Sequence, residues 1–199
     1  MKTPIAVLVS GGGTNLQALI DAQARGELPH GEIRLVVSNK ENAYALKRAE
    51  AAGIPTAICL RARGADRAEF ETRLLGILEA HGIKMIVLAG FMAILSADFV
   101  SHYPKAIINV HPSLIPSFCG EGFYGLRVHR AALDYGVKVT GATVHYVNEI
   151  PDGGQIICQK AVDIREGDTP EILQRRVMEQ AEWILLPRAA EYVAKELRV

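Results

Sequence analysis

The chain has 199 residues, and its 22 basic and 22 acidic side chains cancel to a formal net charge of zero at pH 7. This length allows a sizeable core in one large domain, and the balanced charge gives no indication of a nucleic-acid or membrane surface. No apolar segment is long enough for a membrane-spanning helix, and the three cysteines form no C-x-x-C pair. We therefore expect a cytoplasmic protein with free thiols.

The first predicted element is a buried strand at 5–9, which stops at the segment Ser10-Gly-Gly-Gly-Thr-Asn15. Apolar residues then recur at helical spacing, and Thr14 and Asn15 are residue types that commonly cap a helix. A strand, a glycine loop and a helix in this order can bind an anion, because the amides at a helix start carry partial positive charge. The loop lacks the lysine of a Walker motif and the spacing of G-x-G-x-x-G, so a phosphate site and a tight structural turn both remain open.

The following hundred residues alternate between strand and helix patterns. Strands are predicted at 33–37, 57–60, 85–89 and into Asn109, with helices at 42–52 and 66–82 and a short one from Ser96. Asp66 and Glu69 form a predicted capping box. Alternating strands and helices predict a doubly wound, mostly parallel α/β sheet that binds ligands beyond the carboxyl ends of its strands. The glycine loop, the turn at 90–95 and the segment from Asn109 onward all lie at such ends.

Asn109 and His111 lie two residues apart in the segment Ala106-Ile-Ile-Asn-Val-His-Pro-Ser-Leu-Ile-Pro116. Side chains at i and i+2 of an extended chain project to the same side, so both can face one ligand. Pro112 and Pro116 keep the loop that follows stiff and non-helical. An amide donor and an imidazole at a strand end suit catalysis, although both could instead form turn hydrogen bonds.

The pattern changes after Pro116. A loop rich in glycine and aromatic residues at 117–125 precedes a predicted helix at 126–135, and strand-like runs at 138–147 and 155–162 predict an antiparallel hairpin. A long C-terminal helix is predicted after Thr169, with Pro170 at its first position, and Pro187 is expected to kink or interrupt it. No repeat, low-complexity tract or linker divides the chain, so we predict one domain over residues 1–199.

Four segments, spread over nearly the whole chain, carry a resemblance to a known family. They are Ser10-Gly-Gly-Gly-Thr-Asn-Leu-Gln17, Leu88-Ala-Gly-Phe-Met92, Asn109-Val-His-Pro-Ser-Leu-Ile-Pro116 and Gly141-Ala-Thr-Val-His-Tyr-Val-Asn-Glu-Ile-Pro-Asp-Gly-Gly154. Their order and spacing resemble those of the folate-dependent formyltransferases that act on glycinamide ribonucleotide. The resemblance implies a Rossmann-like sheet with a phosphate-binding half at about 1–110 and a folate-binding, catalytic half at about 111–199.

The resemblance also implies a reaction, in which the formyl group of 10-formyltetrahydrofolate passes to the amine of 5-phosphoribosylglycinamide in de novo purine biosynthesis. Carried over residue by residue, the catalytic trio is Asn109, His111 and Asp152. Asn109 would donate to the oxyanion of a tetrahedral intermediate, and His111 would stabilise the same charge and move a proton. Asp152 would raise the basicity of His111 and position a water. No metal is implied, and Cys119 is expected to be incidental.

The same resemblance implies the residues that bind the two substrates. The ribonucleotide would contact Gly12, Gly13, Thr14, Asn15 and Glu182, although a solvated helix face is an alternative for Glu182. The folate would contact Arg67, Met92, Ala93, Ile94, Leu95, Asn109, Val147 and Glu149, of which the apolar members could also belong to the core.

The chain departs from the family pattern in three places. Ala93 stands where relatives often carry arginine, and Pro151 stands where an aliphatic residue is usual. The loop at 119–125 is several residues longer than the compact version in relatives. The remaining histidines show no metal-ligand spacing and are expected on the surface or in the core: His30, His81, His102, His129 and His145.

Three alternative functions are formyltetrahydrofolate deformylase, methionyl-tRNA formyltransferase and a non-catalytic nucleotide-binding module. A deformylase would carry an N-terminal regulatory domain and a tRNA enzyme a C-terminal domain with a basic surface. Neither is expected, because the chain starts at the first sheet strand and its charge is balanced. A binding module would need the glycine loop but not the trio. The expected partners are the two small-molecule substrates, without nucleic acid or membrane, for a monomer or homodimer.

Overall fold

A computed structural model of the chain describes residues 1–61 and 66–198. Its strands are β1 (Thr3–Val9), β2 (Gly31–Ser38), β3 (Thr56–Ile58), β4 (Met85–Leu88), β5 (Ile107–His111), β6 (Val139–Tyr146) and β7 (Ile156–Asp163). Its helices are α1 (Thr14–Ala24), α2 (Tyr44–Ala51), α3 (Arg67–Ala80), α4 (Ala97–Ser101), α5 (Leu126–Tyr135), α6 (Pro170–Val177) and α7 (Trp183–Glu196). A π-helical turn at Met178–Glu182 joins α6 to α7.

These strands form one sheet in the order β3-β2-β1-β4-β5-β6-β7. Neighbouring strands from β3 to β5 are parallel, whereas β6 runs antiparallel to both β5 and β7. The strand order reverses between β1 and β4, the position at which doubly wound sheets bind ligands. The predicted α/β class, the antiparallel hairpin and the long C-terminal helical segment are confirmed.

The central strands of the sheet are buried on both faces, which explains their continuous apolar runs. In β1, Val7 and Val9 belong to the core cluster that includes residues of α1 and α7, whereas Ala6 and Leu8 belong to the cluster that includes residues of α3 and α4. This alternation has the period of two that a strand requires. Among the described helices, none has the length and apolar character needed to cross a membrane.

Helix α1 begins differently from its prediction. Thr14 and Asn15 were expected to cap it, but the N-cap is Gly13, with φ of 73° and no side-chain hydrogen bond. Glycine is needed there for two reasons. The backbone is left-handed, and α2 approaches so closely that a Cβ at Gly13 would lie 2.6 Å from the Cβ of Ala45. The capping prediction was wrong because side-chain preference does not include this long-range contact.

The C-terminal helical segment also differs from its prediction. Pro187 lies inside α7 and does not interrupt it, whereas the irregularity is the π-helical turn that precedes Trp183. The hydrogen bond that Pro187 cannot donate would go to the carbonyl of Trp183, in the first turn of α7. Pro187 thus removes one hydrogen bond close to the π-helical turn, and α7 continues past it.

Candidate active site

The carboxyl end of β5 carries two polar side chains on one face of the sheet. Asn109 and His111 project to this face, and in the antiparallel ladder Asn109 lies opposite His145 of β6. Directly opposed residues in such a ladder have neighbouring side chains. Asn109 and His145 therefore touch, with 3.2 Å between Nδ2 of Asn109 and Nε2 of His145.

Asp152, in the connection between β6 and β7, completes this group. Its Oδ2 lies 3.4 Å from Nδ1 of His111, and its Oδ1 lies 3.4 Å from Nδ2 of Asn109. The amide of Gly120 donates to Oδ2 at 2.9 Å. Asp152 has a φ of 55°, an uncommon conformation for a residue other than glycine. The structure thus brings the three predicted catalytic residues together and adds His145.

The hydrogen bonds of His145 determine which of its nitrogens carries the proton. Its Nδ1 lies 2.8 Å from the carbonyl of Tyr146, which can only accept, so Nδ1 is the donor. In the neutral ring, Nε2 then accepts from Asn109. The two N–H groups of Asn109 consequently face His145 and Asp152, and one of them must turn away before Asn109 can donate to a ligand.

His111 is held in the opposite tautomer. Its Nε2 lies 2.9 Å from the carbonyl of Phe118, so Nε2 carries the proton. In the neutral ring, the unprotonated Nδ1 then faces a carboxylate oxygen of Asp152. Two acceptors face each other at 3.4 Å, and a single proton placed between them would satisfy both. The His111–Asp152 pair is therefore arranged to receive a proton.

Burial and charge act in opposite directions on this pair. Burial lowers the pKa of His111 below its ordinary value, although Asp152 and the Phe118 carbonyl partly offset the effect. For Asp152, burial raises the pKa, but His145, His111 and the Gly120 amide outweigh it and the net shift is downward. Asp152 thus favours the protonated form of His111, as predicted, but burial has the larger effect on the pKa of His111. At neutral pH the unliganded pair is a carboxylate beside a neutral imidazole.

A cavity of about 330 Å³ opens beside the trio. Its walls come from the turn at 90–95, the end of β5, the loop at 120–125 and the connection after β6. Of the residues predicted to bind folate, the structure places these in the wall: Met92, Ala93, Ile94, Leu95, Asn109 and Val147. Arg67 and Glu149 are not among the described residues that line the cavity.

Two buried side chains hold the turn at 90–95 from opposite ends. The hydroxyl of Ser10, at the end of β1, accepts from the Met92 amide at 2.9 Å. The carboxylate of Glu71, on α3, accepts from the amide of Ser96 at 2.8 Å and from its hydroxyl at 2.5 Å. Arg67 pairs with Glu71 at 3.1 Å, so it contacts a residue that supports the cavity wall.

The glycine loop, residues 10–15, meets the π-helical turn. Nδ2 of Asn15 donates to Oε2 of Glu182 at 2.7 Å, and the Thr14 hydroxyl lies 3.8 Å from the sulfur of Met178. Burial raises the pKa of Glu182 to about 7, against the opposing effect of the Asn15 hydrogen bond. The solvated face considered for Glu182 is not observed, since the residue is 6% exposed. The structure thus brings predicted ribonucleotide-binding residues from both ends of the chain into contact.

Cys119 lies near the trio, with its thiol donating to the carbonyl of Pro116 at 3.3 Å. Burial raises the pKa of this thiol, and the charge of Asp152 adds to the effect. The thiol is therefore protonated at neutral pH and is a weak nucleophile. Across the described ranges, no group of three or more His, Cys, Asp or Glu side chains is arranged to hold a metal ion.

Three residues of the site were not predicted. His145 was assigned to the surface or core, although it lies seven residues before Asp152 in the same resembling segment. That spacing was the available signal, but its meaning depends on the pairing of β5 with β6. Ser10 and Glu71 act on a turn distant in sequence, and no local pattern indicates such contacts.

Comparisons with known proteins give consistent results. The sequence profile of the family described as "Formyl transferase" matches residues 3–189. The trifunctional purine biosynthetic protein adenosine-3 of Gallus gallus is 46% identical over 97% of this chain, which spans only 18% of that protein. The phosphoribosylglycinamide formyltransferase of Escherichia coli (strain K12) is 40% identical over 88% of this chain and 80% of that protein.

Solved structures resemble the chain over almost its full length. The glycinamide ribonucleotide transformylase 1 of Symbiobacterium toebii has a TM-score of 0.91 and 38% identity, with 98% of this chain and 89% of that chain covered. The phosphoribosylglycinamide formyltransferase of Coxiella burnetii has a TM-score of 0.88 and 43% identity over the same shares. Sequence and fold thus lead to one family.

Proposed function

Because the chain belongs to the formyl transferase family, we propose that it transfers the formyl group of 10-formyltetrahydrofolate to the amine of 5-phosphoribosylglycinamide. The observation that carries this proposal is the meeting of Asn109, His111 and Asp152 beside the cavity. This group can donate to a developing negative oxygen and accept a proton, which are the two needs of direct formyl transfer to an amine.

The bonds that form and break in the reaction define the roles of these residues. The bond from the substrate amine to the formyl carbon forms, the bond from that carbon to the folate nitrogen breaks, and a proton passes from the first nitrogen to the second. Asn109 donates from Nδ2 to the oxygen that becomes negative, after one N–H has left His145 or Asp152. His111 accepts and returns the proton at Nδ1, where the Asp152 carboxylate stabilises the imidazolium.

The cavity suits a folate by its mixture of apolar and polar groups. Its described lining includes apolar side chains of Leu88, Phe91, Ile94 and Leu95 beside the polar Asn109 and Asp152, as expected for a planar ring system with few polar contacts. The folate supplies the formyl group. Met92, Ala93, Val147 and the residues around Asp152 would hold its ring, and Arg67 and Glu149 would contact parts outside the cavity.

The glycine loop would bind the substrate phosphate, with Gly12, Gly13, Thr14 and Asn15 supplying amides at the start of α1. The carboxylate of Glu182 would accept from the ribose hydroxyls. This arrangement brings the amine toward Asn109, because the glycine loop and β5 lie at the same edge of the sheet. Binding energy at the phosphate and ribose then serves to orient the reacting amine.

The test is an absorbance assay of folate turnover with the purified protein, with and without 5-phosphoribosylglycinamide. We expect one formyl group on the ribonucleotide for each tetrahydrofolate released, and none released without the amine. Activity should persist with a chelator, because the proposed steps use nitrogen and oxygen groups of the chain.

Each alternative predicts a different result. Folate turnover at full rate without the amine would identify a deformylase. Binding of the ribonucleotide without folate consumption would identify a nucleotide-binding module. Transfer to another amine, with no transfer to glycinamide ribonucleotide, would retain the reaction class and reject the substrate.

A further inference from the structure

Arg48, on α2, reaches across to the glycine loop. Its Nε donates to the carbonyl of Gly12 at 2.8 Å, and its Nη1 donates to Oε1 of Gln17, on α1, at 3.1 Å. Its guanidinium carbon lies 5.1 Å from the centre of the Tyr44 ring. These partners are a carbonyl, an amide and an aromatic ring, so the contacts fix the guanidinium without neutralising its charge.

Helix α2 also fixes the orientation of the Gly11–Gly12 peptide. The amide of Ala45 donates to the carbonyl of Gly11 at 3.0 Å. In a trans peptide the C=O and the following N–H point in opposite directions. Because the carbonyls of Gly11 and Gly12 both face α2, the amides of Gly12 and Gly13 point away from it. Helix α2 therefore sets the direction of two donors in the glycine loop.

From these contacts we infer that Arg48 is a positioning residue for the substrate phosphate. It fixes the Gly12–Gly13 peptide with its N–H directed toward the phosphate and places a positive charge beside the loop. This inference rests on the proposed function and names the residue on which phosphate recognition depends. A lysine at this position would keep the charge but not the two directed donors of the guanidinium.

The experiment compares Arg48→Met, which retains the length of the aliphatic stem, with Arg48→Lys. For Arg48→Met we expect the KM for the ribonucleotide to rise about tenfold to hundredfold, the usual loss of a hydrogen bond to a charged group. The kcat at saturation and the KM for folate should not change. Arg48→Lys should restore part of the affinity. Lys47→Met is the matched control, since Lys47 is exposed and its Nζ lies 6.0 Å from the centre of the same Tyr44 ring.

A phosphate-free riboside distinguishes a role of Arg48 in positioning the phosphate-binding amides from a general structural role. Its affinity should be equal in the natural chain and in Arg48→Met, because no phosphate is present to lose its contact. An equal loss of affinity for the riboside and the ribonucleotide would overturn the inference, as would an unchanged KM for the ribonucleotide. Circular dichroism and the melting temperature verify that each variant is folded.

A direct titration keeps this inference separate from the proposed function. Ribose 5-phosphate should shift the NMR signals of the Gly13 and Thr14 amides in the natural chain and much less in Arg48→Met. That result would support the role of Arg48 even if no formyl transfer to glycinamide ribonucleotide were observed. Formyl transfer by Arg48→Met with unaltered constants would reject the role of Arg48 and leave the proposed function standing.

Discussion

His145 contacts two members of the proposed catalytic trio. In the unliganded chain, its Nε2 accepts from Asn109 and lies 3.6 Å from Oδ1 of Asp152. Because Nδ1 of His145 donates to the Tyr146 carbonyl, its Nε2 is fixed as an acceptor for Asn109. We interpret His145 as the group that orients the Asn109 amide.

Substitution of His145 tests this interpretation. In His145→Leu, Asn109 loses an oriented partner, and we expect kcat to fall about a hundredfold, the usual effect of misplacing a reacting group. His145→Gln keeps an acceptor for the Asn109 amide and should retain more turnover than His145→Leu. Steady-state kinetics at a single neutral pH provide the measurement. Equal kcat for His145→Leu and the natural chain would exclude this role.

Direct removal of the proposed catalytic groups should reduce turnover more than it weakens substrate binding. We expect kcat to fall about two to three orders of magnitude in Asn109→Ala, the usual loss for an oxyanion donor. For His111→Ala we expect a fall of about two to four orders, as for other acid–base groups. The exposed His102 is the control, and His102→Ala should be fully active. Near-full turnover by a folded variant of Asn109 or His111 would reject its assigned role.

With the role proposed for Glu182, ribonucleotide binding should depend on pH. Its pKa is raised to about 7 by burial, so it is protonated below that value and a carboxylate above it. Only the carboxylate accepts from two ribose hydroxyls, so the KM for the ribonucleotide should fall as the pH rises through 7. Glu182→Gln should make this profile flat. A Glu182→Gln variant with the natural pH profile would contradict the assignment.

The raised pKa of Glu182 also affects the free energy of unfolding, which should fall as the pH rises. Because the folded-state pKa of Glu182 lies above the value for an unfolded glutamate, its contribution is present below the unfolded pKa and is lost as the pH rises through about 7. Between these values the unliganded chain should lose stability from this group while it gains affinity for the ribonucleotide. Binding and folding thus make opposite demands on one carboxyl group.

At the scale of elements, the site depends on contacts between loops that follow different strands. Ser10 belongs to the glycine loop, yet its hydroxyl holds the Met92 amide in the cavity wall. Because β1 and β4 are neighbours in the sheet, the loops that follow them can share a hydrogen bond. The regions proposed for the two substrates are therefore physically joined.

Gly13 provides a test at this scale. Its φ is 73°, and a Cβ added there would lie only 2.6 Å from the Cβ of Ala45. We therefore expect Gly13→Ala to destabilise the chain by about 1–3 kcal/mol, the usual effect of overpacking or backbone strain. Gly12→Ala is the matched control, because a Cβ at Gly12 would meet nothing within 4 Å. Urea unfolding of both variants gives the comparison, and equal stability of the two would show that the approach of α2 does not require glycine.

The elements were predicted more reliably than their contacts. The helix at Leu126–Tyr135 was predicted to the residue, and Thr169 caps α6 as expected, since these signals are local. The short helix expected from Ser96 begins at Ala97, with Ser96 as its N-cap. The N-cap of α1 was predicted wrongly, because the approach of α2 determines it. The interruption considered at Pro187 is not observed there, and the irregular turn ends instead at Glu182. The i, i+2 spacing of Asn109 and His111 indicated a shared face, but the cross-strand position of His145 depended on the ladder.

At the scale of the whole molecule, the two ends of the chain are joined. The Thr3 hydroxyl, in β1, donates to the carbonyl of Ala194, in α7, at 2.7 Å. Helix α7 also contacts β2, β6 and β7. The two proposed functional halves therefore share one sheet and one covering helix, and we propose that they fold as a single domain.

Unfolding experiments can test the single domain. Trp183, the only tryptophan of the chain, lies at the start of α7 and reports on the C-terminal half, whereas far-UV circular dichroism reports on all helices and strands. We expect the two urea transitions to coincide, as in two-state unfolding. The ribonucleotide at about 100 times its Kd should stabilise the chain by about 2.7 kcal/mol and shift both curves together. Two separate transitions would instead divide the chain into independent units.

The loop at 120–125 has a consequence for inhibitor selectivity. It contributes six consecutive residues, 120–125, to the cavity wall, and the Tyr124 ring lies 4.8 Å from the guanidinium carbon of Arg127. An antifolate with a planar substituent directed at Phe123 and Tyr124 would gain stacking contacts that a compact loop cannot offer. Such a compound would discriminate between formyltransferases by the rings of Phe123 and Tyr124, so that resistance through a change in either ring would leave the hydrogen bond from Gly120 to Asp152 in place.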